Sequence, residues 1–222
     1  LLAPVGNHEM LITAINSGAN AVYFGLDKLN MRAKAKNFTL ENLPDVVKLC
    51  KENSVDTHLT LNSIVYNNEL KELDIILPEV KKAGIDLIIC WDLAVIQKCI
   101  QYDIPFCIST QASISNIESA KFYKNLGAKR IVLARECTLD MVKEIKENVD
   151  VEVETFIHGA MCVAVSGRCF MSHYVFNKSA NRGECIQPCR RNYKITDNDQ
   201  GFDFELGNDY VMSPKDICTI NF

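Results

Sequence analysis

The chain has 222 residues, 48% of them hydrophobic and 23% charged, with a formal net charge of −4. This suits one large domain or two small ones with a core able to fold unaided, and ten glycines and six prolines exclude collagenous or low-complexity character. No apolar run reaches the roughly 18–20 residues that span a bilayer, and the net charge excludes a coat of nucleic-acid-binding charge while leaving room for a local basic patch. The opening residues, LLAPVG, show neither a basic n-region nor a long apolar h-region, so no signal peptide is expected and the expected location is the cytoplasm.

Short β-branched runs alternate with amphipathic stretches over the first 160 residues. Strands are expected at 1–4, 21–25, 57–64, 87–91, 105–109, 130–134 and 151–158. Between them, 69–83 places Leu70, Leu73, Ile76, Leu77 and Val80 on one helical face, and 116–126 and 139–147 share that period. Gly18, Gly84 and Gly127 each stand just past a helix, where a left-handed cap is wanted. The alternation predicts a parallel sheet with helical crossovers. An eighth strand at 210–212 would close a (β/α)8 TIM-like barrel, with a Cys-rich insertion between strands 7 and 8. The expected division is 1–160 for the main part of the barrel, 161–208 for the Cys-rich basic insertion and 209–222 for the closing strand and last cysteine, one structural domain overall. An open doubly wound sheet is the runner-up, but the first turn lacks the glycine-rich phosphate fingerprint of that fold.

Barrel active sites lie at the C-terminal ends of the strands. The polar residues expected there are Asn7, His8, Asn62, Asp92, Gln111, Arg135, Glu136 and His158. Loop polarity and helix capping explain some of them, and Asp92 reads as an N-cap. Arg135 has the fork to hold a carboxylate, and Glu136, Gln111 and His158 have the groups to orient a ring or move a proton.

The ten cysteines fall into two sets. Cys50, Cys90, Cys99, Cys107 and Cys137 are widely scattered, and Cys90 and Cys107 lie in apolar strands, where a thiol behaves as a small hydrophobe. Cys162, Cys169, Cys185, Cys189 and Cys218 crowd the last 61 residues. Intervals of six, fifteen and three residues separate the first four of these, and only Cys185–Cys189 resembles a zinc-knuckle pair. Such loose spacing suits a bulky iron–sulfur cluster held between loops, with zinc as the alternative. Residues 162–194 carry +5 and residues 195–222 carry −5. The basic segment includes Arg168, Lys178, Arg182, Arg190 and Arg191, interleaved with Tyr174, Phe176 and Tyr193. It can contact phosphates and stack bases, or its arginines, Arg182 and Arg190 foremost, can offset the charge of a bound cofactor.

Residues 154–172 read ETFIHGAMCVAVSGRCFMS and residues 180–190 read ANRGECIQPCR. With LAPVGN at 2–7, STQ at 109–111, LARE at 133–136 and SPKDIC at 213–218, the chain resembles peptidase family U32 over essentially its whole length. The resemblance implies a choice of activities. Members include collagenase-like proteases, prephenate-dependent hydroxylases of tRNA uridine or rRNA cytidine, and factors for oxygen-independent hydroxylation of a quinone precursor. For the hydroxylase branches it implies a [4Fe–4S] cluster on Cys162, Cys169, Cys185 and Cys218, with Cys189 as substitute, and prephenate as co-substrate. It also implies RNA as partner, together with an electron donor or protein partner and no membrane. The sequence shows neither a His-Glu-x-x-His helix nor a Gly-x-Ser-x-Gly elbow for peptide hydrolysis, so an iron–sulfur RNA hydroxylase is the preferred reading, with a peptidase or a cluster-bearing accessory factor as alternatives.

Overall fold

The computed structural model describes residues 1–31, 36–165, 167–204, 212 and 216–219. The first 154 residues alternate strand and helix: β1 (Leu2–Pro4), α1 (His8–Asn16), β2 (Ala21–Gly25), α2 (Leu43–Glu52), β3 (Asp56–Thr60), α3 (Leu70–Ala83), β4 (Leu87–Cys90), α4 (Leu93–Gln101), β5 (Phe106–Ile108), α5 (Ile117–Asn125), β6 (Arg130–Val132), α6 (Leu139–Asn148) and β7 (Glu152–Glu154). The seven strands pair in chain order, all parallel, in one curled sheet of the barrel type. Tyr210 and Val211 of the expected eighth strand lie outside the described residues.

Local chemistry sets the element boundaries. Asn7, Asp92, Asn116 and Thr138 cap α1, α4, α5 and α6 by accepting from backbone amides of the first turn. Gly84 ends α3 at φ 81°, ψ 37°, a left-handed cap that a β-carbon would strain.

The two-residue period of the strands divides their side chains between two environments. Val22, Phe24, Leu59, Ile88, Cys90, Phe106, Ile108 and Ile131 face the helices and join Leu11, Val46, Leu73, Val95 and Ile145 in the main core. The other face forms a small separate cluster of Leu87, Ile89, Cys107 and Val132 with Tyr23. Alongside it run Arg130, Glu152 and Glu154, joined by ion pairs of 2.6 Å (Arg130–Glu152) and 3.5 Å (Arg130–Glu154). His58 is buried, and its Nδ1 has no hydrogen-bond partner. Burial above all, with the Arg130 charge next, pushes its imidazole down to about 4. Burial pushes the Glu154 carboxyl up.

The expected strand at 151–158 is two pieces. β7 stays in the sheet, the chain turns out at Thr155–Ile157, and β8 (His158–Gly159) runs elsewhere. Phe156 and Ile157 are exposed, so their apolar character belongs to the exit from the sheet and not to its core. Beyond β8 come a short helix α7 (Met171–Phe176), an antiparallel pair β9 (Ile195–Asp197) and β10 (Phe202–Phe204), and β11 (Ile217–Cys218), which pairs antiparallel with β8.

Candidate functional site

The segment after β7 folds back over the C-terminal ends of the strands. It packs on the barrel at Gly167. With φ at 76°, that residue presses on Gln111 and Trp91, and a β-carbon there would sit 2.8 Å from Gln111 Cγ. Below it, the Asn62 carbonyl accepts from Trp91 Nε1 at 2.9 Å and from Gln111 Nε2 at 3.0 Å. Asn62 Oδ1 accepts from the Met31 amide at 3.0 Å, which ties the loop after β2 to the same point. Gln111 is only 2% exposed, and its Oε1 has no hydrogen-bond partner. A buried amide oxygen left without a donor is costly, and it marks a place where a bound group or water would be held.

Arg135 and Glu136 follow β6. With Cys162 and Thr110 they line a cavity of about 40 Å³, room for a water or so and not for an organic acid. The Arg135 guanidinium lies 4.4 Å from the centroid of the Phe156 ring, a cation–π contact that holds it at the rim. His158 sits in β8 in register with Cys218 of β11, and Thr219 secures that pair through bonds of its amide and hydroxyl to the Ile157 carbonyl, at 2.9 and 2.7 Å.

The thiols converge in part. The Cys189 thiol is raised by burial first, then by the neighbouring thiols of Cys162 and Cys185, with Arg190 opposing and Cys169 adding. Cys162, Cys185 and Cys218 are exposed, and Cys169 and Cys189 are half-buried. Among the described residues, no three His, Cys, Asp or Glu side chains close at the spacing of a single metal ion. Cys50, Cys90, Cys99 and Cys107 are fully buried.

Two arginines fix this segment. Arg182 Nη1 donates to the Ile64 carbonyl at 2.6 Å and to Glu69 Oε2 at 2.9 Å, its Nη2 bonds the other carboxylate oxygen of Glu69, and the guanidinium lies over the Tyr66 ring at 4.1 Å. The adjacent Asn181, buried, accepts from the Cys169 amide through Oδ1 at 2.8 Å. Arg190 Nη2 donates to the Met161 carbonyl at 3.1 Å and to Asp216 at 2.7 Å, and that bond holds the Asp216 carboxyl below the usual carboxylate range.

The structure thus brings Arg135, Glu136 and Cys162 to one cavity, seats Gln111 under the loop that joins Cys162 to Cys169, and pairs His158 with Cys218. Asn7 and Asp92 are occupied as helix caps, and His8 packs edge-on to Phe38 at 5.6 Å. Sequence reasoning missed Glu69, Tyr66, Asn181, Trp91 and Gly167. The glycine sits inside the motif between two cysteines and was the readable signal among them.

Comparison with known proteins agrees with this architecture. The family model described as peptidase family U32 matches residues 6–222. A collagenase of Porphyromonas gingivalis is 41% identical over 100% of this chain and 56% of its own length. The tRNA hydroxylation protein P1 of Bacillus subtilis is 37% identical over 99% of this chain and 54% of its own. The chain therefore spans a little over half the length of these relatives. The solved structure of a U32 peptidase superposes with a TM-score of 0.60 at 15% identity, covering 72% of this chain and 69% of that one, which shows the barrel-type fold. From its strand order to its cysteine block, the chain belongs to peptidase family U32.

Proposed function

We propose that the chain is the core of an iron–sulfur enzyme that hydroxylates a pyrimidine in tRNA or rRNA. The observation that carries this reading is the grouping of thiols around Cys189, at the mouth of a barrel whose rim holds Arg135 and Glu136. Kinship with a tRNA hydroxylation protein supports it.

The donor set fits a [4Fe–4S] cluster. It is all thiol, Cys162, Cys169 and Cys185 lie near Cys189, and the Arg190 guanidinium is beside it to balance negative charge. Cys162, Cys169 and Cys185 are assigned as ligands, with the fourth from Cys218 or, as substitute, Cys189. Bound there, the cluster supplies one-electron chemistry. The chain's own groups do the rest. Arg135, braced on Phe156, is the cation assigned to a carboxylate co-substrate such as prephenate, for which the small cavity beside it has no room. Gln111 offers an unsatisfied acceptor, and Glu136 and His158 are the groups assigned to hold or move a proton.

Anaerobic purification with iron and sulfide assay tests the cluster, and one zinc per chain without iron overturns it. Mass spectrometry of nucleosides from a deletion strain tests the substrate. An unchanged profile overturns the RNA reading. Peptide hydrolysis is the second reading, favoured by the 41% identity to a collagenase, and cleavage by wild-type protein that survives removal of iron would establish it.

A further inference from the structure

We propose that Phe170 and Tyr174 form a stacking platform for unpaired RNA bases, an inference that rests on the RNA reading above and extends it to named contacts. Phe170 immediately precedes α7, and the Tyr174 amide donates to the Phe170 carbonyl at 2.8 Å. That bond closes the first turn of α7, so Tyr174 stands one turn beyond Phe170, the residue that caps the helix. Phe170 is 71% exposed and Tyr174 91% exposed.

The other aromatics of the segment already have partners. The Arg191 guanidinium stands 4.6 Å from the centroid of Phe176, and the Tyr193 hydroxyl donates to the Pro188 carbonyl at 2.6 Å. Among the described residues, no guanidinium or second ring stands over Phe170 or Tyr174. Folding this chain uses two rings of the segment and leaves two facing water.

Charge selects the occupant. The segment 162–194 carries a formal +5; Arg182 and Arg190 are paired with Glu69 and Asp216 and Lys178 with Glu184 at 3.3 Å, and exposed Arg168 stands two residues before Phe170. Exposed rings among cations match a strand of bases joined by phosphates, where each base has a π-face and each linkage a negative charge. Paired RNA keeps its base faces inside the stack, so the platform fits loops and unpaired stretches and not duplex. Phe170 directly follows Cys169 in the chain.

The test is binding of the full-length protein to two RNA probes, a hairpin carrying 2-aminopurine in its unpaired loop and a fully paired duplex of the same composition, at fixed salt. Wild-type protein is expected to bind the hairpin more tightly and change the loop fluorescence. Tyr174→Ala and Phe170→Ala should each weaken hairpin binding by roughly 5-fold or more, the value of one stacked base, and leave duplex binding unchanged. Tyr174→Trp should retain binding because it keeps a π-face, and Tyr174→Leu should lose it although it stays apolar. Binding that survives Tyr174→Leu as well as wild type, or a loss shared equally by hairpin and duplex, overturns the platform while leaving RNA as partner. Protection of both rings from solvent in the full-length protein without RNA also overturns it and assigns the surface to a protein contact. Absence of binding to either probe overturns the RNA reading itself.

Discussion

Arg182 and Glu69 form a two-pronged ion pair that joins the cysteine-bearing segment to the loop between β3 and α3. The pair is mostly buried, braced by the Tyr66 ring and the Ile64 carbonyl, and Asn181 beside it holds the Cys169 amide. Exposed pairs are worth about 1 kcal/mol or less, and breaking a fully buried one costs about 3–5 kcal/mol. Glu69→Ala is therefore expected to destabilise the fold by about 2 kcal/mol or more in urea unfolding. Arg182→Lys should not restore the loss, because an ammonium can neither fork across the carboxylate nor stack in the same way. A cost under about 0.5 kcal/mol for Glu69→Ala would show that the segment is held elsewhere.

Gly167→Ala should be costly out of proportion to its size. The positive φ alone costs a side chain about 1–2 kcal/mol, and the new methyl meets Gln111 Cγ at 2.8 Å. The expected outcome is a destabilisation of about 2 kcal/mol, with faster amide exchange between Cys162 and Cys169. The same substitution at Gly18, also at positive φ but with nothing within 4 Å, should cost only the backbone part.

Acid should weaken the fold through His58. Its folded value of about 4 lies below the ordinary 6.5, so the stability it contributes is present above pH 6.5 and is lost progressively as pH falls toward 4. At about 1.4 kcal/mol per pH unit, the shift corresponds to about 3 kcal/mol in all. His58→Gln should flatten the stability profile between pH 6.5 and 4. Glu154 acts in the opposite sense: its raised carboxyl contributes stability as it takes up a proton, so Glu154→Gln should steepen the loss. Identical profiles for wild type and His58→Gln would remove the imidazole from the account.

Thiol labelling of metal-free native protein should divide the cysteines by burial. Cys50, Cys90, Cys99 and Cys107 should resist alkylation until unfolding, and Cys162, Cys185 and Cys218 should label first. Serine at 162, 169 or 185 should each abolish iron retention, and Cys50→Ser and Cys99→Ser should not. Of Cys189→Ser and Cys218→Ser, one should abolish it, which identifies the fourth ligand. Iron retained in both variants would overturn four-thiolate ligation.

Much of the fold was legible because its signals are local. The face of Leu73, Ile76, Leu77 and Val80 and the glycine behind it fix α3 almost to the residue. The split of 151–158 was not legible, because apolar Phe156 and Ile157 read as strand until the exit of the chain from the sheet is seen. The strand-end positions of Arg135, Glu136 and Gln111 were legible as well, because each follows closely on a strand-like run. The partner of Arg182 was not: Glu69 is 113 positions away, and composition alone shows only the charge of the arginine. Nor does a two-residue period say which face is polar when Arg130, Glu152 and Glu154 stand on the same side as Leu87 and Ile89.

Because the main apolar mass lies between sheet and helices, alternate residues of each strand answer to different masters. One set keeps the chain folded. The other lines an inner wall where buried Leu87, Ile89, Cys107 and Val132 stand beside His58 and the charges of Arg130, Glu152 and Glu154. In a barrel the chemistry sits on the loops at the strand ends and not in this skeleton, so relatives named a collagenase and a tRNA hydroxylation protein can share one frame.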